Sequence, residues 1–168
     1  MKKSWLYFLL FFIAPIAVVF WMMGAFNSAT IEIAQRGPYH YAYLDHIGRY
    51  DKLLDKQTQV YQALQAQGVT PHAPIALLLN DPENTPKKAL HSQAGYMVDA
   101  GAKIGEPLLV GDIPSRQVLL VKVKANPLMA PSKAYKALTD YLKAHQMKLV
   151  VPTVEIYQGG VLTVEMNM

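Results

Sequence analysis

The segment near the end of the chain carries the side chain best suited to chemistry. In the predicted strand Val150–Tyr157, Glu155 and Tyr157 share one face because strand side chains alternate. We expect this face to be the concave one, away from any helices. A carboxylate among aromatic rings can hold a cationic, apolar ligand by charge attraction and cation–π contact. Burial would raise the pKa of Glu155 and make it a candidate general base. An ordinary solvated glutamate on an exposed sheet face is the alternative.

Tyrosines are the second group that could form a binding site. Tyr157 can stack on a ligand or donate its hydroxyl group. Tyr41 lies in the run Tyr39–His46, in which three tyrosines alternate with other residues and so share one sheet face. Tyr96 and Met97 follow each other on a later strand, so only one can face the cleft, and we favour Tyr96. Packing within the sheet is the alternative for each of these tyrosines.

The remaining reactive residues form no recognisable site. The chain has five scattered histidines and no cysteine, which excludes disulfides, thiolate metal sites and a cysteine nucleophile. A glycine-rich phosphate loop and a G-x-S-x-G elbow are also absent from the sequence. We therefore expect neither a metal nor a cofactor.

The charge balance argues against a nucleic-acid partner. With 16 basic and 12 acidic residues the formal net charge is +4, and Lys2 and Lys3 contribute half of it. The rest of the chain is nearly balanced and has no basic stripe, which a nucleic-acid surface requires.

The N-terminal residues predict a membrane anchor. From Trp5 to Phe26 there is no charged residue across 22 positions, about 33 Å of helix. We therefore expect residues 1–27 to be an uncleaved transmembrane anchor. Lys2 and Lys3 precede the span, which predicts a cytoplasmic N-terminus and a periplasmic domain on the inner membrane. A cleaved signal peptide is the alternative, but its apolar region would be shorter and the candidate site at Asn27–Ala29 is poor.

Residues 28–168 predict one domain in which the order strand–helix–strand–strand occurs twice. The first copy falls near residues 39–100 and the second near 116–168, with helices at Arg49–Gln67 and from Pro131 to about His145. Such a repeat predicts an α+β fold, a curved antiparallel sheet with both helices on one face. The other face, between the two halves, is then the expected ligand cleft.

Three short motifs carry a family resemblance. His46–Tyr50 has the form H-x-G-x-Y before the first helix, Asn80–Pro82 has a D-P turn after the next strand, and Glu155–Tyr157 has the form E-x-Y. In this order they resemble the GyrI-like small-molecule-binding domain, the effector-binding domain of BmrR- and Rob-type regulators. The resemblance covers residues 30–168. It implies a small-molecule site with Glu155 inside and Tyr50 at its mouth.

Two departures from that family pattern matter. Where the second half would repeat the H-x-G-x-Y turn, this chain has Lys122–Asn126. The apolar N-terminal segment stands where the family's DNA-binding helices would be, so we do not expect a one-component transcription factor.

Three functions remain open from the sequence. The first is a binding module that holds a small apolar or cationic molecule between the two repeats. The second is a hydrolase of electrophilic, cyclopropane-type compounds, an activity associated with some GyrI-like proteins, with Glu155 as general base and Tyr157 and Tyr50 orienting the electrophile. The third is a membrane-tethered structural or interaction protein without a ligand, whose cleft is filled by its own side chains or by a protein partner.

Overall fold

The computed structural model describes residues 2–168, except for the side chains of residues 2–4 and 6. This part of the chain forms an α+β fold with three α-helices and one eight-stranded antiparallel sheet. The helices are α1 (Lys2–Met22), α2 (Leu53–Ala66) and α3 (Ala130–Ala144). The strands are β1 (Thr30–Arg36), β2 (Tyr39–Ile47), β3 (Pro74–Leu78), β4 (His91–Met97), β5 (Leu109–Ile113), β6 (Arg116–Lys124), β7 (Thr153–Gln158) and β8 (Val161–Asn167).

The strand order is β1-β6-β8-β7-β3-β4-β2-β5. The two halves of the chain meet at the centre of the sheet, where β7 pairs with β3. Strands β1 and β2 follow each other in sequence but lie near opposite ends of the sheet. The Tyr39 hydroxyl, at the start of β2, nevertheless donates to the Glu165 carboxylate of β8 at 2.7 Å. The sheet is therefore curled until its ends approach each other.

Both α2 and α3 pack on one face of this sheet. Residues on that face stand opposite one another along the strand order, from Val121 through Val164, Glu155 and Ala76 to Ala94. Helix α3 packs a stripe of small and branched side chains on β6 and β8. The buried members of that cluster on α3 are Ala130, Ala134, Leu138 and Leu142.

Helix α2 covers the other half of the same face. Val60 and Leu64, both without exposed surface, pack near Ala42 of β2. Leu53, at the start of α2, packs on Ala76 and on other residues of β3 and β4. The small side chains beneath this end of α2 let the helix lie close to the sheet.

The inner face of the curl holds a separate apolar cluster. Its buried members come mainly from β2, β3 and β7 and are Tyr41, Ala73, Ile75, Leu77, Ile113, Val154 and Ile156. The sheet is thus buried on both faces, by helices outside and by its own curvature inside.

The prediction of a transmembrane anchor over Trp5–Phe26 is wrong. A membrane span needs about 20 consecutive apolar residues. In α1 the described side chains are continuous only from Tyr7 to Met22. Among the described residues, no helix is long and apolar enough to cross a membrane. The predicted fold class is wrong in its transmembrane part. The side chains of Lys2 and Lys3, on which the predicted orientation depended, lie outside the described residues.

The predicted inner-membrane location with a periplasmic domain is wrong for the same reason. It rested entirely on the span, as did the expectation that the membrane is a partner of the chain. What the structure gives is the α+β fold, with its eight-stranded antiparallel sheet and three helices in the described part of the chain.

Candidate functional site

Glu155 lies near the centre of the sheet, on the face that carries the helices. Its neighbours across the sheet are Ala76 on β3 and Val164 on β8. The prediction that Glu155 faces away from the helices is therefore wrong. The opposite face of β7 presents Val154 and Ile156, which pack inside the curl. Glu155 consequently sits where the two halves of the chain meet, between the start of α2 and α3.

Tyr135 of α3 lies over Glu155. Its hydroxyl is 2.9 Å from the Thr153 hydroxyl of β7 and also interacts with the Glu155 carboxyl group. Surrounding protein excludes water from the Tyr135 hydroxyl, and this burial, followed by the charge of Glu155, raises its pKa well above the usual value. Tyr135 therefore keeps its proton and can donate it in a hydrogen bond.

The carboxyl group of Glu155 is held in an unfavourable environment for its charge. Burial raises its pKa from the ordinary 4.5 to about 7, although the hydrogen bond with Tyr135 acts in the opposite direction. Within the described residues, no lysine, arginine or histidine forms an ion pair with Glu155. The residue as a whole is partly exposed, while surrounding protein buries its carboxyl group. Glu155 is thus a carboxyl group without a counter-ion among the described residues, and its raised pKa lies near neutral pH.

Tyr50 approaches the same carboxylate from the other half of the chain. It begins a short 3-10 turn, Tyr50–Lys52, that leads into α2. Burial is the largest cause of its raised pKa, and the charge of Glu155 adds to it. Tyr50 and Tyr135 both pack on the cluster formed by Leu53 and the β3–β4 residues beneath it. The structure therefore brings together Glu155 and Tyr50, the two residues that the family resemblance implied.

The first two sequence motifs meet at Tyr50. Gly48 has φ +130°, a conformation that side-chain-bearing residues rarely adopt, and the His46 Nε2 atom donates a hydrogen bond to the Arg49 carbonyl oxygen at 3.0 Å. The Tyr50 hydroxyl donates to the Asn80 carbonyl oxygen at 2.9 Å. The H-x-G-x-Y turn and the N-D-P turn are therefore joined, and together they fix one wall of the site.

The other predicted ligand-binding tyrosines have different surroundings. Tyr157 shares the face of Glu155, but its hydroxyl donates to the Ala125 carbonyl oxygen at 2.8 Å. Tyr96 lies on the helix-bearing face with its ring against Tyr61, the centroids 5.6 Å apart. Tyr41 points to the inner face of the curl. It is 4% exposed, its hydroxyl donates to the Gln93 amide oxygen at 2.8 Å, and burial raises its pKa to about 12.

A groove of about 510 Å³ lies beside Tyr135. One wall is apolar, with Leu142, Met147 and Leu149 at and beyond the end of α3. The other wall is the loop after β3 with Asp81 and Glu83, and Lys143 and Lys148 also line the groove, so that it carries charges of both signs. This volume falls within the range of small-molecule sites in proteins. Tyr135 is the residue that the groove shares with the Glu155 site, and Glu155 itself does not line the groove.

Sequence reasoning missed Tyr135 as a site residue. Its position on the inward face of the second helix indicated a core residue, and its packing on the sheet agrees with that. The overlooked signal was the hydroxyl, since a buried tyrosine needs a polar partner. Thr153, which shares the helix-bearing face of β7 with Glu155, supplies it. Among the described residues, no group of three or more potential ligands could hold a metal ion.

Comparison with known proteins identifies the fold. A scan against protein-family models and a search of curated proteins both find no match. Among solved structures, the C-terminal domain of EcmrR aligns with a TM-score of 0.63 at 13% identity, over 84% of this chain and 96% of that domain. EcmrR in an EcmrR–DNA complex aligns with a TM-score of 0.66 at 12% identity, over 83% of this chain. This chain spans 57% of that longer one.

A third solved structure has a small molecule bound. SAV2435 bound to tetraphenylphosphonium aligns with a TM-score of 0.59 at 11% identity, over 82% of this chain and 93% of that one. At this level of identity the likeness shows the fold alone. It agrees with the α+β fold that the family resemblance implied for residues 30–168.

Proposed function

We propose that this domain binds a small, apolar organic cation, with Glu155 as its counter-ion. The observation that carries the proposal is a buried carboxyl group, in a partly exposed residue, that has no ion-pair partner among the described residues and whose pKa burial raises to about 7. A bound cation would stabilise the ionised form of this group. Cation binding is therefore favoured, because the positive charge of the ligand stabilises a carboxylate that surrounding protein shields from water.

The surroundings of Glu155 favour an organic cation over a metal ion. A hard metal ion requires several oxygen ligands, whereas Glu155 is a single carboxylate beside two tyrosine rings. The rings of Tyr50 and Tyr135 offer cation–π contacts, and their hydroxyl groups remain protonated. The apolar wall of the adjacent groove suits the hydrophobic part of such a molecule.

The comparison with SAV2435 supports the same ligand class. That protein was solved with tetraphenylphosphonium, a large apolar monocation, and it shares the fold of this chain. Tetraphenylphosphonium is therefore a reasonable first probe.

Isothermal titration of the full chain with tetraphenylphosphonium at pH 8 tests this function. We expect Glu155→Gln to weaken binding at least about thirtyfold, because the substitution removes the charge and keeps the shape. Glu32→Gln is the matched control, since Glu32 is exposed on β1 and pairs with Lys122. Equal affinity of the Glu155→Gln variant and the wild type would overturn the proposal, as would absence of binding to the wild type.

Hydrolysis is the second candidate function, and one observation favours it. A carboxyl group with a pKa of about 7 can accept a proton from water at neutral pH, and protonated tyrosine hydroxyls lie beside it. The water oxygen would bond to an electrophilic ring carbon as the carbon–carbon bond of a strained ring breaks. The proton taken by Glu155 would return to the product carbon. Mass spectrometry of an electrophilic cyclopropane compound incubated with the chain would show a gain of one water, lost in Glu155→Gln.

A further inference from the structure

The C-terminal end of helix α1 is held by one ammonium group of α3. Lys133 Nζ donates to the carbonyl oxygens of Gly24 at 2.9 Å, Ala25 at 2.6 Å and Asn27 at 2.6 Å. These carbonyl groups belong to the turn that follows α1. A cation at the C-terminal end of a helix also interacts favourably with the helix dipole. Lys133 thus satisfies all three of its donor positions on this turn.

The loop after β6 holds the same turn from the other side. The Asn126 backbone amide donates to the Met23 carbonyl oxygen at 2.9 Å, and the Asn27 side-chain amide donates to the Lys124 carbonyl oxygen at 2.6 Å. Gly24 has φ +76°, and a Cβ atom there would lie 2.6 Å from the Lys124 carbonyl oxygen. We call this assembly of Lys133, Lys124–Asn126 and the turn after α1 the α1 junction.

The α1 junction and the Glu155 site are built on the same two elements. Helix α3 carries Lys133 in the junction and, two residues later, Tyr135 over Glu155. Strand β7 carries Glu155 and, two residues later on the same face, Tyr157, whose hydroxyl holds the Ala125 carbonyl oxygen of the junction. Two residues along a strand span about 7 Å. A shift of α3 or β7 therefore moves both places together.

We propose that ligand binding at Glu155 loosens the α1 junction, so that the two events are thermodynamically coupled. This rests on the proposed function of the Glu155 site. Tyr135 lies over Glu155 and lines the groove, so a ligand that reaches from the groove to the carboxyl group displaces Tyr135, and α3 with it, outward. If α3 moves as a rigid unit, the hydrogen bonds of Lys133, which are 2.6–2.9 Å long, lengthen and weaken as the helix shifts. Displacement of Tyr135 consequently draws the Lys133 ammonium away from the turn after α1.

Coupling of this kind is reciprocal, so it can be measured from either side. The first measurement is amide hydrogen exchange of the full chain with and without tetraphenylphosphonium. We expect the Asn126 amide, which bonds Met23 across the junction, to exchange at least about threefold faster with the probe bound. Glu155→Gln with the same probe is the control and should show no acceleration.

The second measurement is the affinity for the probe when the junction is weakened. Lys133→Met should bind tetraphenylphosphonium about fivefold or more tightly than the wild type, since the ligand no longer has to break the junction. Lys136→Met is the matched control on α3, because Lys136 is 76% exposed and pairs with Asp140 one turn later. Tyr157→Phe, which removes the bond to Ala125 and keeps the ring, should shift the affinity in the same direction.

The outcomes separate this proposal from the one on which it rests. Probe binding that depends on Glu155, together with unchanged Asn126 exchange and equal affinities of Lys133→Met and Lys136→Met, would overturn the coupling and leave the binding function standing. Probe binding that ignores Glu155, or no binding at all, would overturn both.

Discussion

The hydroxyl groups of Tyr135 and Thr153 lie 2.9 Å apart and join α3 to β7 directly beside Glu155. Because Tyr135 also hydrogen-bonds the Glu155 carboxyl group, it stabilises the ionised form and lowers the pKa from what burial alone would produce. The contact therefore links the packing of a helix to the charge of the candidate site.

Tyr135→Phe should move the pH dependence of cation binding upward. The substitution keeps the ring and removes the hydroxyl, so the pKa of Glu155 rises and more alkaline solution is needed to ionise it. Titration calorimetry with tetraphenylphosphonium from pH 5 to pH 9 would locate the midpoint. Tyr141→Phe on the same helix is the control, because Tyr141 stacks on His145 away from Glu155. A midpoint common to both variants and the wild type would contradict the role of Tyr135.

Cation binding by the wild type should itself depend on pH in a defined direction. The ionised carboxylate attracts the ligand, so affinity should rise through pH 7 and level off above it. Well below pH 7 it should fall by about tenfold per pH unit. An affinity that stays constant between pH 5 and pH 8 would show that Glu155 is not the counter-ion.

Glu155→Gln should stabilise the ligand-free chain in alkaline solution. The carboxyl group has an ordinary pKa of 4.5 and a pKa of about 7 in the folded chain, so the folded state binds the extra proton between these values. Wild-type stability therefore falls as pH rises through this window and stays lowered above it. At pH 8 the variant should melt roughly 2–5 °C above the wild type. At pH 4 the two melting temperatures should converge, and a gap that persists there would contradict the assignment.

Glu165→Gln should have the opposite effect on stability. Glu165 has no exposed surface and accepts hydrogen bonds from Arg36 at 2.8 Å, Arg116 at 2.9 Å and Tyr39 at 2.7 Å. Removing its charge leaves two guanidinium groups without their buried partner, which should cost about 3 kcal/mol of unfolding free energy. Urea denaturation at pH 7 measures this. Glu32→Gln should change the unfolding free energy by less than about 1 kcal/mol, because its ion pair with Lys122 is exposed.

Helix α2 offers a matched test of the core. Leu64 has no exposed surface and packs on β2 and the loop after β4, whereas Leu54 on the same helix is 53% exposed. Leu64→Ala should lower the unfolding free energy by about 2–5 kcal/mol through lost burial and a residual cavity. Leu54→Ala should lower it by less than about 1 kcal/mol. Similar losses in both variants would contradict the observed packing of α2.

Local patterns predicted much of the sheet but could not decide which face met the helices. Strand alternation correctly placed Glu155 and Tyr157 on one face. The choice of face failed because β7 is buried on both sides, beneath α3 and inside the curl, so Val154 and Ile156 suited either one. Alternation identifies the core only where one face is solvated.

Other features depended on contacts between distant residues. The H-x-G-x-Y motif led to Tyr50 by resemblance, whereas Tyr135 became visible only once α3 was placed over Glu155. Strand β5, with Gly111 and Asp112 among its five residues, has little intrinsic strand preference and forms by pairing with β2. No local pattern could have revealed either contact.

The position of β1 in the sheet has a consequence for how the chain is made. Strand β1 precedes the first half in sequence, yet in the described part of the chain it pairs with a single strand, β6 of the second half, with Thr30 opposite Lys122. During synthesis β1 leaves the ribosome long before β6 exists. In the meantime the first half can assemble β2, β3, β4 and α2, whereas β1 has no partner strand until β6 has been made. Completion of the sheet thus waits for nearly the whole chain, and pairing across so long a sequence separation slows folding.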